Sequence, residues 1–203
     1  MKITKITCQK NKNKFNLFVD DNFYGGVLKE VAVANNFCIG KEIDEKALNK
    51  IILESESKEA FSKASDYLAS RLHSEKELYL KLIKKGYGKQ ASIMAIEKLK
   101  TYGYINDLEF AKAFIQSSSK LSTNMKKSKL IQKGVDKFVI DSVLGEEDDQ
   151  DLCYNMAEKY LKNKDKQECK QKLYAHLARK GFSSSSISKV LHKIYNEDFY
   201  VED

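Results

Sequence analysis

The heptapeptide Lys81-Leu82-Ile83-Lys84-Lys85-Gly86-Tyr87 recurs as Lys129-Leu130-Ile131-Gln132-Lys133-Gly134-Val135, and again as His176-Leu177-Ala178-Arg179-Lys180-Gly181-Phe182. Its glycines stand 48 and then 47 residues apart. Self-similarity at such a period signals an array of supersecondary units. The segment itself reads as a helix stop. Glycine adopts the left-handed conformation past a helix end without a Cβ penalty, and a basic residue before it faces the negative end of the helix dipole. The apolar residue after it can fold back onto the last turn. Downstream of each glycine lies an apolar triplet at helical spacing: Ile93, Ile96, Leu99; Ile140, Val143, Leu144; Ile187, Val190, Leu191. Upstream lie further amphipathic stretches, Ala60 to Leu72, Phe110 to Ile115 and Cys153 to Leu161. Each unit is therefore expected to hold three helices. Ser74-Glu75-Lys76-Glu77 reads as a capping box, Asp165-Lys166-Gln167-Glu168 resembles one, and Asn106-Asp107 offers an N-cap to the helix containing Phe110. One such unit buries little core alone, whereas stacked units stabilise one another.

The N-terminal part differs. Ile3 to Thr7, Phe15 to Val19 and Phe23 to Val27 read as short strands, with turns at Asn11-Lys12-Asn13 and Asp20-Asp21-Asn22. Leu28 to Phe37 and Asp44 to Leu53 read as helices, the second capped by Asp44. The expected fold is mainly α. Three tandem three-helix repeats (56–106, 107–149 and 150–203) form an elongated, curved array after a small β-hairpin and helix segment (1–55). The absence of proline and the count of only nine glycines agree with a chain made mostly of helices joined by short turns.

The net charge of +7 is unevenly spread. Residues 57–106 carry 10 Lys/Arg against 5 Asp/Glu, and 107–144 carry 7 against 4, before the acidic run Glu146-Glu147-Asp148-Asp149. Residues 1–56 are close to neutral, with 9 against 8. A basic middle suits a polyanionic partner. Cys8, Cys38, Cys153 and Cys169 form no CxxC pair, and His73, His176 and His192 keep no metal-ligand spacing with them. Free thiols in a reducing cytoplasm, no metal and no cofactor are expected. No apolar run approaches the length of a membrane span, and Met1-Lys2-Ile3-Thr4-Lys5 lacks the apolar segment of a secretory signal, so a cytoplasmic location is expected. Phosphate loops, HExxH and GxSxG are lacking, so an enzyme is not expected.

Ala64-Ser65-Asp66-Tyr67-Leu68-Ala69-Ser70-Arg71-Leu72-His73-Ser74-Glu75-Lys76-Glu77-Leu78 resembles the opening signature of RecX, the modulator of the recombinase RecA. Lys81-Leu82 followed by Lys85-Gly86, the stretch Gly103-Tyr104-Ile105-Asn106-Asp107-Leu108-Glu109-Phe110-Ala111, and the later Leu-x-x-Lys-Gly elements fit the same family. The likeness covers about residues 60 to 194, and the preceding segment resembles the extension of RecX proteins from low-GC Gram-positive bacteria. The resemblance implies a cytoplasmic regulator of DNA recombination and repair. It would contact the RecA–DNA filament, inhibit ATP hydrolysis and strand exchange, and carry no catalysis of its own. Many positions that are arginine in the family are lysine here, and the two differ at bidentate contacts.

Lys84, Lys85, Lys126, Lys127, Lys129, Lys133, Arg179 and Lys180 flank the repeat glycines and are the candidate contacts to RecA or DNA. The plainer reading is a solvated face with helix-end charge. Tyr79, Tyr87, Tyr102 and Tyr104 could stack on bases or anchor an interface, but positions so close to repeat junctions read first as core. Ser74 and Glu77 are a cap, not a nucleophile and base. His176, where the other repeats carry lysine, reads as a helix-surface residue. The expected partners are the RecA filament and single- or double-stranded DNA held weakly and without sequence preference. No membrane partner is expected, and the chain should be a monomer. Two alternatives stay open: an autonomous, non-sequence-specific DNA-binding protein built of helix-turn-helix-like units, and a structural adaptor. The third helices open with Lys89-Gln90-Ala91-Ser92, Asp136-Lys137 and Ser183 to Ser186, which share no base-reading pattern.

Overall fold

The computed structural model describes residues 1–10, 13–145, 148–162 and 164–196. They fall into two compact units, Met1–Asn106 and the chain from Asp107 onward.

The first unit opens with an antiparallel sheet of β1 (Ile3–Cys8), β2 (Lys14–Val19) and β3 (Asn22–Leu28), in the order β1-β2-β3. Val19 pairs with Asn22, so Asp20 and Asp21 are the two central turn residues, at φ +46° and +65°. A two-residue turn with both φ values positive matches the twist of the flanking strands, and Asp tolerates it better than most residues. In the other expected turn, Asn11 and Lys12 lie outside the described residues. Ile3, Leu17, Val19 and Val27 from the sheet pack with Val31 and Ala32 of α1 (Lys29–Ala34) and with Leu48 of α2 (Glu45–Ser70). Leu28 N–H donates to Ser55 Oγ (2.7 Å), and Lys14 Nζ lies 2.8 Å from Glu59 Oε1, so the sheet is fastened to α2.

Asp44 caps α2 as expected, accepting from Ala47 N–H. The helix does not stop near residue 53 but runs unbroken for 26 residues, through the boundary expected at 55/56. No glycine or proline lies between 45 and 70 to end it. Its two halves bury different faces. Leu48, Ile52 and Ser55 face the sheet core, while Ala60, Ala64 and Tyr67 face the next core, about 120° further round the helix at 3.6 residues per turn. That rotation makes one helix look like two in sequence.

Ala60 and Ala64 join Leu78 and Leu82 of α3 (Glu75–Lys85) and Ala95, Ile96 and Leu99 of α4 (Lys89–Thr101) in the first three-helix core. Ile93, expected inside, is 41 % exposed. Counted from the glycine, the position matching Ile140 and Ile187 is Ser92, which is buried. The first repeat therefore has its apolar triplet out of register.

The second unit holds two further three-helix cores. Phe110, Ala111, Leu130, Val135, Ile140 and Leu144 unite α5 (Asp107–Ser117), α6 (Thr123–Gln132) and α7 (Lys137–Leu144). Cys153, Ala157, Leu173, Leu177, Phe182 and Ile187 belong to the core of α8 (Gln150–Leu161), α9 (Lys166–Arg179) and α10 (Ser184–Asn196).

The repeated heptapeptide forms the same helix stop three times. Gly86, Gly134 and Gly181 have φ of +101°, +83° and +84°. Each glycine N–H bonds three residues back, to Ile83, Ile131 and Ala178. Each following N–H bonds five residues back, from Tyr87 to Leu82, Val135 to Leu130 and Phe182 to Leu177. This pair of bonds is the Schellman motif. Leu82, Leu130 and Leu177 are all fully buried.

The last two cores meet at the third stop. Ser122 caps α6, accepting from Met125 N–H (3.3 Å), and its hydroxyl donates to Lys180 O (2.7 Å). A Cβ on Gly181 would lie 2.8 Å from Ser122 Oγ, whereas one on Gly86 would meet nothing within 4 Å. Gly86→Ala should therefore cost the left-handed penalty alone, about 1–2 kcal/mol. Gly181→Ala should cost more, because Ser122 must also give up its bond to Lys180. Equal losses in urea unfolding would contradict this joint.

His73 is buried, with Nδ1 3.3 Å from Glu77 Oε2, Nε2 3.4 Å from Lys81 Nζ and its ring edge-on to Tyr67. Burial holds its pKa below 6.5, opposed by the Glu77 bond and reinforced by Arg71 and Lys81. On acidification the unfolded chain takes up this proton first. The contribution of His73 to stability is thus complete above about pH 6.5 and is lost as pH falls below it. His176 is shifted the same way, by burial first and then by Lys180. The urea midpoint should fall between pH 7.5 and 5.5, and His73→Gln should shrink that fall. An unchanged pH response in the variant would contradict the assignment.

Candidate functional site

The eight basic positions divide by environment. Lys84 and Lys85 are exposed on the last turn of α3, where they also face the negative end of the helix. Lys129 is exposed on α6, and Arg179 and Lys180 are exposed at the end of α9. Arg179 Nε turns back to Ala175 O (3.3 Å).

The other three are engaged within the second unit. Lys127 pairs with Asp141 of α7 and holds that carboxyl below its usual range. Lys133 is half-buried, its ammonium 5.7 and 5.8 Å from the ring centres of Phe110 and Phe114, within cation–π range. Lys126 is only 6 % exposed. The repeat register explains this: eight residues before the glycine stand Leu78, Lys126 and Leu173, and both leucines are fully buried. Lys126 fills a leucine position with its aliphatic stem. The repeat register itself carries this signal, since Lys126 stands where the other two repeats place a buried leucine.

The tyrosines divide as well. Tyr79 and Tyr87 pack against the first three-helix core, as expected. Tyr102 and Tyr104 do not: they are 55 % and 60 % exposed. They follow α4, outside the three-helix packing, so nearness to a junction in sequence did not bury them. His176 is half-buried and stacks on Tyr160 with ring centres 4.6 Å apart.

Sequence reading also passed over Asp149, taken as part of an acidic break. Its carboxylate accepts from Thr123 N–H (2.9 Å) and from Ser186 Oγ (3.4 Å), and so joins the starts of α6 and α10. Glu146 and Glu147 of the same run lie outside the described residues.

The starts of the third helices carry acceptors of their own. Glu56 takes Gly88 N–H before α4 (2.6 Å), Asp136 takes Phe138 N–H in α7 (2.8 Å), and Ser183 takes Ser186 N–H in α10 (3.0 Å). Carboxylates at two of these three starts repel phosphate where a recognition helix would enter a groove. Ser74 accepts from Glu77 N–H at 3.2 Å, the bond of a cap. Burial pushes the Cys153 thiol up to about 11, far from a reactive thiolate. Among the described residues no cluster of His, Cys, Asp or Glu could hold a metal, and no helix is long and apolar enough to cross a membrane.

Three family models match. Residues 1–44 match the regulatory protein RecX N-terminal domain, 60–99 the first three-helix domain of RecX and 146–191 the third. The regulatory protein RecX of Bacillus pumilus (strain SAFR-032) is 35 % identical over 96 % of this chain and 78 % of its own. That of Clostridioides difficile (strain 630) is 32 % identical over 98 % of both chains. A crystal structure of regulatory protein RecX is 25 % identical, with a TM-score of 0.66 over 93 % of this chain and 98 % of that one. A mainly helical chain with three glycine-stopped three-helix cores behind a small sheet, aligned with these proteins over nearly its whole length, belongs to the RecX family of regulatory proteins.

Proposed function

We propose that this chain restrains the recombinase RecA by binding the RecA–DNA filament in the cytoplasm, as a monomer and without catalysis of its own. The observation that carries the reading is family membership across nearly the full chain, 98 % of both sequences in the Clostridioides difficile comparison. The segments 1–55, 56–106, 107–149 and 150–203 act as its working parts, the first two sharing α2. Lys84, Lys85, Lys129, Arg179 and Lys180 supply sequence-independent, salt-sensitive contacts to phosphates or to an acidic protein face. Lys126, Lys127 and Lys133 serve mainly the fold. The acidic acceptors at Glu56 and Asp136 favour this reading over a DNA-binding protein that inserts helix-turn-helix-like units into a groove.

The test is RecA ATPase on single-stranded DNA, with and without the full chain. Inhibition is expected at stoichiometric ratios, and its absence at excess would sink the proposal. Replacing the five exposed cations by glutamine should weaken inhibition by about tenfold or more and flatten its salt dependence. Lys126→Met should leave both inhibition and DNA affinity at low salt unchanged. If the five-site variant behaves like the parent while Lys126→Met loses binding, the assignment of roles is reversed.

A further inference from the structure

One apolar surface of the first unit is used by none of these contacts. Phe61, Leu68 and Ala69 of α2, Leu72 just beyond it, and Tyr102 and Tyr104 after α4 line a groove of 490 Å³. Leu72 is 49 % exposed, and with the two tyrosines it forms a contiguous apolar patch instead of scattered single residues. The rings brace one another edge to face, with Phe61 and Tyr102 centres 6.0 Å apart and Tyr102 and Tyr104 6.1 Å apart. Ser65, the remaining lining residue, donates its hydroxyl to Phe61 O at 2.9 Å, so its polar group is already satisfied. Phe61, Ser65, Leu68 and Leu72 step along the chain by four, three and four residues. On α2 the floor runs from Phe61 to Ala69, about 12 Å or a little over two helical turns, and Leu72 extends it past the helix end at Ser70.

The occupant follows from shape and charge. An apolar trough floored by about two helical turns and walled by aromatic rings matches the apolar stripe of an amphipathic helix. No carboxylate lines it. Lys98 overhangs one end, its ammonium 5.4 Å from the Phe61 ring centre and 5.9 Å from that of Tyr102. The surrounding segment 57–106 carries twice as many cations as acids. A groove for single-stranded nucleic acid would need a track of cations beside the rings, and this lining has one at its lip. We infer that the groove docks an amphipathic helix of a partner protein whose polar flanks are acidic.

The chain has no tryptophan, so a tryptophan-bearing probe gives an unmixed fluorescence signal. The probe is a synthetic peptide of about 16 residues with Leu, Trp and Leu at i, i+4 and i+7 and glutamates on the other faces. It should bind the full chain saturably and far more tightly than its scrambled counterpart. Leu72→Glu and Tyr104→Ser should each weaken binding about tenfold or more, and Lys98→Glu should weaken it by a smaller factor that vanishes at high salt. All three positions lie at the surface, and an unchanged melting temperature shows that the fold is kept. Equal binding of scrambled and patterned peptides, or variants that bind like the parent, would overturn the inference. Displacement of the peptide by oligothymidylate, with the same loss on Leu72→Glu, would reassign the groove to nucleic acid. A dimer abolished by Leu72→Glu would reassign it to a second copy. RecA is absent from this experiment, so its failure and the failure of the RecA reading are separately visible.

Discussion

The hydrogen bond from the amide after each repeat glycine to the carbonyl of a buried leucine is the constraint around which the helical part is organised. It forms three times, at Tyr87 to Leu82, Val135 to Leu130 and Phe182 to Leu177. It requires a left-handed residue between, which glycine supplies at each site. The bond turns the chain so that the next apolar side chain meets the core its leucine occupies. At the third site the carbonyl just before the glycine also accepts from Ser122 of the preceding three-helix group. One local motif thereby ends a helix and orients the next, and at Gly181 it also joins two neighbouring groups.

That arrangement decides which charges remain for partners. At the first and third stops the last-turn cations stay at the surface because the core-facing positions are taken by the leucine and its neighbours, whereas at the second Lys133 lies half-buried against Phe110 and Phe114. Lys84, Lys85, Arg179 and Lys180 are exposed for this reason. Cations further back on the same helix obey the helical period. Lys126 falls on the core face, Lys129 on the outer face, and Lys127 within reach of Asp141 on α7. The basic middle of the chain is thus a mixture of structural and presented charge, and net charge alone does not separate the two.

Much of the architecture was legible in the sequence. The strands show their alternation, the turn at Asp20 and Asp21 shows its residue type, and the glycine stops recur with near-constant spacing. What escaped did so for physical reasons. The continuity of α2 was hidden because its buried face shifts by about a third of a turn midway, breaking the period that identifies a helix. The burial of Lys126 was hidden because a long aliphatic stem lets a cation occupy a leucine position. The exposure of Tyr102 and Tyr104 depends on what packs after α4, which no local pattern encodes. Asp149 reads as one acid in a run of four, and only the fold brings Thr123 and Ser186 to it.

The unbroken α2 has a mechanical consequence. A helix of 26 residues is a rod of roughly 39 Å, and here one end is glued to the sheet and the other to the first three-helix core. The two cores have no swivel between them. Twisting the sheet levers the far end of the rod, where Phe61 and Leu68 floor the aromatic trough, and a chain cut at residue 56 would start in mid-rod with its anchor removed. The N-terminal sheet is less an appendage than the fixed end of a beam.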